Sequence, residues 1–380
     1  MSLPLLGRRR FAGAFGGALG GALLDPRLRA SAATAAAPDP ARSGPLLLNS
    51  NENPYGPSPK ALEAMARSHS IAARYPDAAE EKLIAAIARH HGIRPGQVVL
   101  GCGSSEILRL AVDAWTAEGR PQVVAEPTFE AVLSYVGATG AETVKVPLDS
   151  SLRHDLPAMA NACDAATGLV YVCNPNNPTG TIVSGAALEA FVARVPAPAT
   201  VVVDEAYHHF VEDPAYSTAA AWLARFPNLV VVRTFSKIHG LAGMRLGYAI
   251  GSQQRCDELR RHAFFSPANA AALAAALACL DDAAHVTDQR RKLNGTRRWL
   301  CAQLEAEGRR YLPSEANFVM IHLGTDAKPV IEAFERRGLR VGRFFAPLPE
   351  WLRVSVGARP EIETFAAALR EIVPVRADAA

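Results

Sequence analysis

Seven short, mainly apolar runs between residues 98 and 250 constrain the fold of this chain most strongly. They occupy residues 98–100, 122–124, 143–146, 169–172, 201–203, 229–232 and 248–250. Runs rich in β-branched residues are typical of strands that are buried on both faces, and strands that alternate with helices form parallel sheets. We therefore predict an α/β fold with a mostly parallel central sheet and helices on both of its faces.

The length of the chain allows more than one hydrophobic core. It has 380 residues, of which 49% are hydrophobic and 20% are charged. A chain of this size usually forms more than one domain. We predict a leader at 1–44, an N-terminal segment at 45–70 that packs on the small domain or a partner subunit, a large domain at 71–270, and a smaller α/β C-terminal domain at 271–375 with strands at 318–321 and 352–356.

Lys237 lies in a segment that favours a covalently bound aldehyde cofactor. Ser236 precedes it, and glycines and Arg245 follow it. A lysine amine can form a Schiff base with pyridoxal 5′-phosphate (PLP), while a hydroxyl and a guanidinium bind the phosphate. A Ser-Lys pair alone is uninformative, because most lysines are solvated surface residues. The interpretation therefore depends on the other segments.

An acid ends the apolar run at 201–203. Asp204 follows this run directly, and Tyr207 lies three residues further on. Ligands of open α/β sheets gather at the carboxyl ends of strands, where a carboxylate can keep a pyridine nitrogen protonated. Tyr207 could donate to the phenolic oxygen of the ring. The alternative is a strand-end aspartate that caps the next helix, and both interpretations remain open at this point.

Three further segments supply groups for the same cofactor. Asn177 lies on a turn rich in asparagine and proline after the run at 169–172, where its amide could contact the ring oxygen. Gly103, Ser104 and Ser105 open a predicted helix, and helix N-termini bind phosphate. Phe129 could stack on the pyridine ring. Each signal is weak alone. The asparagine could belong to an ordinary turn, the glycine and serines to an ordinary helix start, and the phenylalanine to the hydrophobic core.

Together these segments resemble the fold-type I PLP enzymes of the class I and II aminotransferases, and most closely the histidinol-phosphate aminotransferases. The resemblance covers about residues 45–375 and includes segments at 48–59, 313–319 and 352–357. It implies a PLP-dependent transfer of an amino group from histidinol phosphate, or from an aromatic or other amino acid, to a 2-oxo acid such as 2-oxoglutarate. A PLP-dependent decarboxylase, racemase or lyase on the same fold is an alternative, and a catalytically silent relative is a further one, since these proteins share the cofactor site.

The resemblance also implies a role for each site residue. Lys237 would form the Schiff base and move the proton, Asp204 would pair with the pyridine nitrogen, and Asn177 and Tyr207 would contact the ring oxygen. The other predicted contacts are Gly103, Ser104, Ser105, Ser236 and Arg245 with the phosphate, Phe129 with the ring face, Tyr55 with the phosphate bound by the other subunit of a homodimer, Arg353 with the substrate α-carboxylate, Arg343 with its far end, and Asn53 and Asn317 with the substrate.

Two residues depart from the family pattern. Ser105 occupies a position where an aspartate is usual, and His239 occupies one where relatives have an aromatic or small residue. Neither departure removes a catalytic group. Both leave the side-chain pocket, and therefore the amino donor, undetermined by the sequence.

Charge and metal-ligand patterns give no indication of other partners. The net charge is +3 and the basic residues are scattered beyond the N-terminus, so we expect no nucleic-acid partner. The histidines at 90–91 and 208–209 are adjacent pairs, and the six cysteines form no Cys-x-x-Cys pattern. We therefore expect no metal site and no disulfide framework.

The first 44 residues indicate export. Arg8, Arg9 and Phe11 form a twin-arginine-like core, which a weakly apolar, Gly-rich stretch and Ala-x-Ala sequences follow. The apolar stretch is too short to span a bilayer, so we expect a periplasmic enzyme without a stable membrane anchor. The alternatives are a disordered tail on a cytoplasmic enzyme and an organellar transit peptide. Export conflicts with histidine biosynthesis, whose intermediates are cytoplasmic, so an exported enzyme would be expected to use another amino donor.

Overall fold

The computed structural model describes residues 44–374, and the predicted leader lies almost entirely outside this range. The strands are β1 (Leu46–Leu47), β2 (Val98–Gly101), β3 (Gln122–Glu126), β4 (Thr143–Pro147), β5 (Leu169–Cys173), β6 (Thr200–Asp204), β7 (Leu229–Thr234), β8 (Gly247–Gly251), β9 (Phe318–His322), β10 (Leu339–Arg340) and β11 (Trp351–Ser355). The α-helices are α1 (Pro59–Ser68), α2 (Asp77–His91), α3 (Ser104–Trp115), α4 (Ala131–Tyr135), α5 (Leu156–Asn161), α6 (Gly185–Arg194), α7 (Gln253–Arg260), α8 (Ala270–Leu280), α9 (Ala283–Ala306), α10 (Ala327–Arg336) and α11 (Arg359–Ile372).

A seven-stranded sheet with the order β2-β8-β7-β6-β5-β3-β4 forms the centre of the fold. The neighbours from β7 to β4 run parallel, whereas β8 runs antiparallel to both β2 and β7. All seven predicted strands are present in this sheet, which confirms the mostly parallel α/β fold. The antiparallel β8 is the exception.

Alternating side chains of each central strand enter two different hydrophobic clusters. On β6, Val201 and Val203 pack into one cluster, and Val202 packs into the other. Because successive side chains of a strand point to opposite faces, the sheet is covered on both sides, which explains the uninterrupted apolar runs.

A separate cluster fills the C-terminal part of the described chain. Its strands β9 and β11 pair antiparallel, and it contains residues such as Phe318, Phe334 and Phe365. In the N-terminal segment, β1 pairs with β10 of this part, whereas α1 packs on α8. Helix α8 itself buries Leu273 and Ala276 in the cluster of the central sheet.

No single helix within residues 44–374 is long and apolar enough to cross a membrane. Helices α8 and α9 together have the length and composition of a membrane span, but they are bent by 85° relative to each other.

Candidate active site

The carboxyl ends of β5, β6 and β7 and the N-terminus of α3 meet at a cavity of about 500 Å³. The position agrees with the rule that ligands of open α/β sheets bind beyond the carboxyl ends of the strands. The predicted site residues that line this cavity are Ser104, Ser105, Phe129, Asn177, Asp204, Tyr207, Ser236, Lys237, Arg245, Arg343 and Arg353.

Lys237 follows β7 by three residues, and its side chain reaches the cavity. Its Nζ donates to the backbone oxygen of Ser50 at 3.2 Å. Burial, with the charges of Arg353 and Arg245, lowers the pKa of Lys237 from 10.5 to about 8, although Glu52 and Asp204 act in the opposite direction. A substantial fraction of the amine is therefore neutral, and nucleophilic, near physiological pH.

Asp204 ends β6 and is buried. Its carboxylate accepts hydrogen bonds from the Tyr171 hydroxyl and from the N–H of Ala206, both at 3.0 Å. Burial raises the pKa of Asp204 from 3.8 to about 6, while these hydrogen bonds lower it. A buried carboxylate of this kind gains stability from a cationic N–H partner in the cavity, which a pyridinium nitrogen would provide. Asp204 is not the N-cap residue of the next helix, because Tyr207 occupies that position before the 3-10 helix at His208–Phe210.

The hydroxyl of Tyr207 lies between two asparagine amides. Asn51 donates to it at 3.1 Å, and Asn177 approaches it at 3.5 Å. Burial raises the pKa of Tyr207 above its usual value of 10, so the phenol stays protonated. Its hydroxyl hydrogen is therefore available to donate to an anionic oxygen in the cavity.

Arg245 and the start of α3 form a cationic corner of the cavity. Gly103 has a φ of +78°, and a Cβ at this position would overlap the guanidinium of Arg245. The backbone conformation therefore favours glycine here, and any side chain would also displace the guanidinium of Arg245 from this corner. Arg245, the first N–H groups of α3 and the hydroxyl of Ser236 together provide the charge and donors that a phosphate dianion needs.

Two further arginines line the cavity, and both lie beside the ring of Phe345. Arg353 donates to Asn177 Oδ1 at 2.6 Å and to the backbone oxygen of Asn49 at 2.8 Å, and its Nε has no hydrogen-bond partner among the described residues. Burial lowers the pKa of Arg353 to about 10, which leaves it charged at neutral pH. Arg343 lies at the mouth and pairs with Glu130 at 2.6 Å.

Comparison with known proteins identifies the family to which this arrangement belongs. The family model for aminotransferase class I and II matches residues 43–372. The chain belongs to the class I and II aminotransferases. It is 42% identical over 331 residues to histidinol-phosphate aminotransferase 2 of Pseudomonas aeruginosa, covering 86% of this chain and 88% of that protein. It is 40% identical over 329 residues to the histidinol-phosphate aminotransferase of Moorella thermoacetica, covering 86% and 85%.

A solved relative contains the cofactor. The structure of histidinol-phosphate aminotransferase from Sinorhizobium meliloti in complex with PLP superposes with a TM-score of 0.81 at 28% identity, covering 86% of this chain and 90% of that one. These findings confirm the prediction that this chain is a PLP-dependent aminotransferase of fold type I. The donor set of the cavity fits the cofactor: a cationic corner for the phosphate, a buried carboxylate for the ring nitrogen, and a lysine of lowered pKa.

The aminotransferase residues divide the chemistry between them. PLP supplies an aldehyde for the substrate amine and a ring that accepts electron density from the substrate Cα. Arg245 and the N-terminus of α3 would hold the phosphate, and Asp204 would keep a proton at the ring nitrogen. The amine of Lys237, at a pKa of about 8, is able to take and return a proton. Tyr207 and Asn177 would hydrogen-bond to the ring oxygen.

Asn53, Asn317 and Tyr55 do not line the cavity within the described part of the chain. Asn53 Nδ2 donates to the backbone oxygen of Ile238 at 2.9 Å, and Asn317 Nδ2 donates to that of Asn51 at 3.0 Å. Both amides therefore hold backbone segments that carry cavity-lining residues, and their contacts with substrate stay a prediction. Tyr55 packs beside Lys292, whose Nζ lies 5.2 Å from the ring centroid.

The sequence interpretation missed several site residues. Tyr171 donates to Asp204, and Asn51 donates to Tyr207. A tyrosine in the middle of a buried apolar strand was an available signal, since a buried hydroxyl usually has a polar partner. Glu130 also lines the cavity, but nothing in its local sequence indicated this position.

One of the histidine pairs, His208 and His209, is half-buried and lies beside the buried His239. The rings of His208 and His209 lie 3.7 Å apart, and those of His209 and His239 lie 5.3 Å apart. Burial lowers the pKa of all three, to about 4 for His239. The rings are therefore neutral near pH 7. No cluster suited to a metal ion occurs among residues 44–374.

Proposed function

We propose that the enzyme transfers the amino group of histidinol phosphate to 2-oxoglutarate. The observation that supports this proposal is the pair of guanidinium groups, Arg353 and Arg343, on one wall of the cavity. Histidinol phosphate carries a phosphate in place of a carboxylate, and 2-oxoglutarate carries two carboxylates. A site for both compounds must bind an anion at the same place in each half-reaction.

Arg353 is the better placed of the two for the anion nearest to the reacting carbon. It is buried, its Nε has no partner in the described residues, and it contacts Asn177 beside Tyr207. We infer that Arg353 binds the α-carboxylate of the acceptor and the phosphate of the donor. Arg343, which is half-exposed at the mouth, would bind the distal carboxylate or a second face of the phosphate.

Separate measurement of the two half-reactions in Arg343→Ala tests this division. With histidinol phosphate as the donor, we expect the rate of both half-reactions to fall about 10- to 100-fold, because a charge-assisted hydrogen bond is lost in each. If the natural donor is neutral or aromatic, its half-reaction is spared and only that of 2-oxoglutarate falls. Single-turnover absorbance changes of the bound cofactor report each half-reaction. An equal loss with a neutral donor would contradict the division.

We propose that the enzyme is a homodimer. Support comes from an exposed aromatic patch, which we define as Tyr75, Phe264 and Phe265 and in which the rings of Tyr75 and Phe265 lie 6.3 Å apart. Tyr75, Phe264 and Phe265 are 81%, 71% and 83% exposed. Contiguous exposed apolar surface marks protein interfaces, and a second copy of the same patch would cover it. In such a dimer Tyr55 would contact the phosphate bound by the other subunit, as the sequence predicts; within its own chain its ring centroid lies 5.2 Å from Lys292 Nζ.

Charged substitutions in the aromatic patch test the dimer. We expect the double variant Phe264→Glu, Phe265→Glu to sediment as a monomer at concentrations where the wild type is a dimer, because burying two carboxylates costs several kcal/mol. Val144→Glu on the edge strand β4, also at an exposed apolar residue, is the matched control and should remain dimeric. A dimeric double variant would place the interface elsewhere.

As the alternative to histidinol phosphate as the donor, we propose that the leader exports the enzyme through the twin-arginine route and that the exported enzyme uses another amino donor. Support comes from the arginine pair and the small-residue stretch, which lie outside the described residues. We expect Arg8→Lys, Arg9→Lys to retain folded, PLP-containing enzyme in the cytoplasm, as measured by cell fractionation. A wild-type enzyme found only in the cytoplasm would contradict export and would agree with histidinol phosphate as the donor. A periplasmic enzyme would favour another donor.

A further inference from the structure

An ion pair closes one side of the cavity mouth. Glu130 and Arg343 are 213 positions apart in the sequence, yet their side chains meet at 2.6 Å. Both residues line the cavity, and their side chains are 53% and 52% exposed. Glu130 follows β3, whereas Arg343 follows β10, so the pair connects the central-sheet part of the chain to the C-terminal part.

The carboxylate of Glu130 makes no hydrogen bond to its own helix that would explain its position. Glu130 is the N-cap residue of α4, but its side chain makes no capping hydrogen bond. An exposed ion pair also contributes little to stability. The contact of Glu130 with Arg343 therefore contributes little to the stability of the fold, and its location at the mouth of the cavity suggests a role in binding.

Glu130 also acts on the second arginine of this wall. Its negative charge raises the pKa of Arg353, and the charge of Arg343 lowers it. The guanidinium carbons of Arg343 and Arg353 lie 4.2 and 5.3 Å from the ring centroid of Phe345. The ring thus spaces the two guanidinium groups along one wall, with the carboxylate of Glu130 beside the outer one.

We propose that Glu130 is a specificity-determining residue, whose carboxylate competes with the distal anion of the substrate for Arg343. A substrate with a distal carboxylate or phosphate must displace Glu130 from Arg343 before it binds fully. A substrate without that anion leaves the ion pair intact and the mouth narrowed. Glu130 therefore weakens the preference for substrates with a distal anion. This inference rests on the proposed role of Arg343.

Glu130→Gln tests the competition with only a small change in shape. We expect the KM for 2-oxoglutarate to fall about two- to fivefold, which matches the loss of one exposed ion pair. The kcat and the KM for pyruvate, which lacks a distal anion, should stay unchanged. The difference should shrink at high ionic strength. Glu126→Gln, which breaks an exposed pair with Lys145 of 2.7 Å outside the cavity, is the matched control and should leave both KM values unchanged.

A double-mutant cycle separates competition from simple repulsion. If Glu130 acts through Arg343, Glu130→Gln should not change the KM for 2-oxoglutarate in the Arg343→Ala background. An equal fall in both backgrounds would mean that the carboxylate only repels anions, and an unchanged KM in the single variant would mean that it does not compete. Either result overturns the proposal. If Arg343→Ala alone leaves the KM for 2-oxoglutarate unchanged, then the proposed role of Arg343 in binding the distal anion is wrong.

Discussion

Lys237→Ala is expected to lower turnover at least about 10³-fold, because it removes both the amine that bonds to the cofactor and the base that moves the substrate proton. No other lysine lines the cavity in the described part of the chain. The measurement is the steady-state rate with a saturating amino donor and 2-oxoglutarate. A rate above a few per cent of wild type would make the assignment of Lys237 wrong.

Two controls distinguish lost chemistry from lost structure in this variant. PLP should still bind, since Arg245, Ser236 and α3 hold its phosphate, and dialysis followed by phosphate analysis measures this. Small primary amines in the buffer should restore part of the rate, because they replace the missing base. Lys60→Ala, which removes a surface lysine paired with Asp282 at 3.1 Å, should keep the wild-type rate.

Asp204→Asn is expected to lower turnover about 10³-fold or more, while the fold and the bound cofactor persist. A neutral amide cannot hold the proton at the ring nitrogen, so the developing charge on the substrate Cα loses a preorganised stabilising group. The rate of the donor half-reaction measures this loss. A near-wild-type rate would reduce Asp204 to a structural residue.

The same variant should stabilise the cofactor-free enzyme above pH 6. The folded pKa of Asp204, about 6, exceeds its ordinary value of 3.8, so the folded state keeps the proton that the unfolded state loses between these values. The contribution of Asp204 to the free energy of unfolding therefore falls as pH rises from about 4 to 6. Asparagine does not ionise, so the variant should gain up to about 3 kcal/mol above pH 6 and nothing below pH 4. Denaturant unfolding of both apoenzymes across this pH range measures the gain.

Much of the fold could be predicted because burial determines composition. Central strands such as β6 and β7 are covered on both faces, so their middle residues are apolar, and the sequence displays this directly. The strand order and the antiparallel direction of β8 could not be predicted in the same way. They depend on how the connections cross the sheet, which leaves no local pattern in the residues.

In the site, too, residues within recognisable sequence motifs could be predicted, whereas contacts between distant parts of the sequence could not. Lys237, Asp204 and Arg245 were predictable because each lies next to a recognisable strand end or glycine turn. The ion pair of Glu130 with Arg343 was not, because it joins distant positions and involves two ordinary surface residue types. Asn53 and Asn317 were recognised from their motifs, but their hydrogen bonds to distant backbone oxygens were not predicted.

A single-turnover reaction of the PLP form of the enzyme with histidinol phosphate, in the absence of any 2-oxo acid, tests the proposed reaction most directly. We predict stoichiometric loss of the visible absorbance of the bound cofactor as it becomes pyridoxamine phosphate, and full recovery when 2-oxoglutarate is added. An unchanged spectrum with histidinol phosphate, together with conversion by a neutral or aromatic amino acid, would contradict the proposed donor. Turnover of amino acids without any pyridoxamine form would contradict transamination itself.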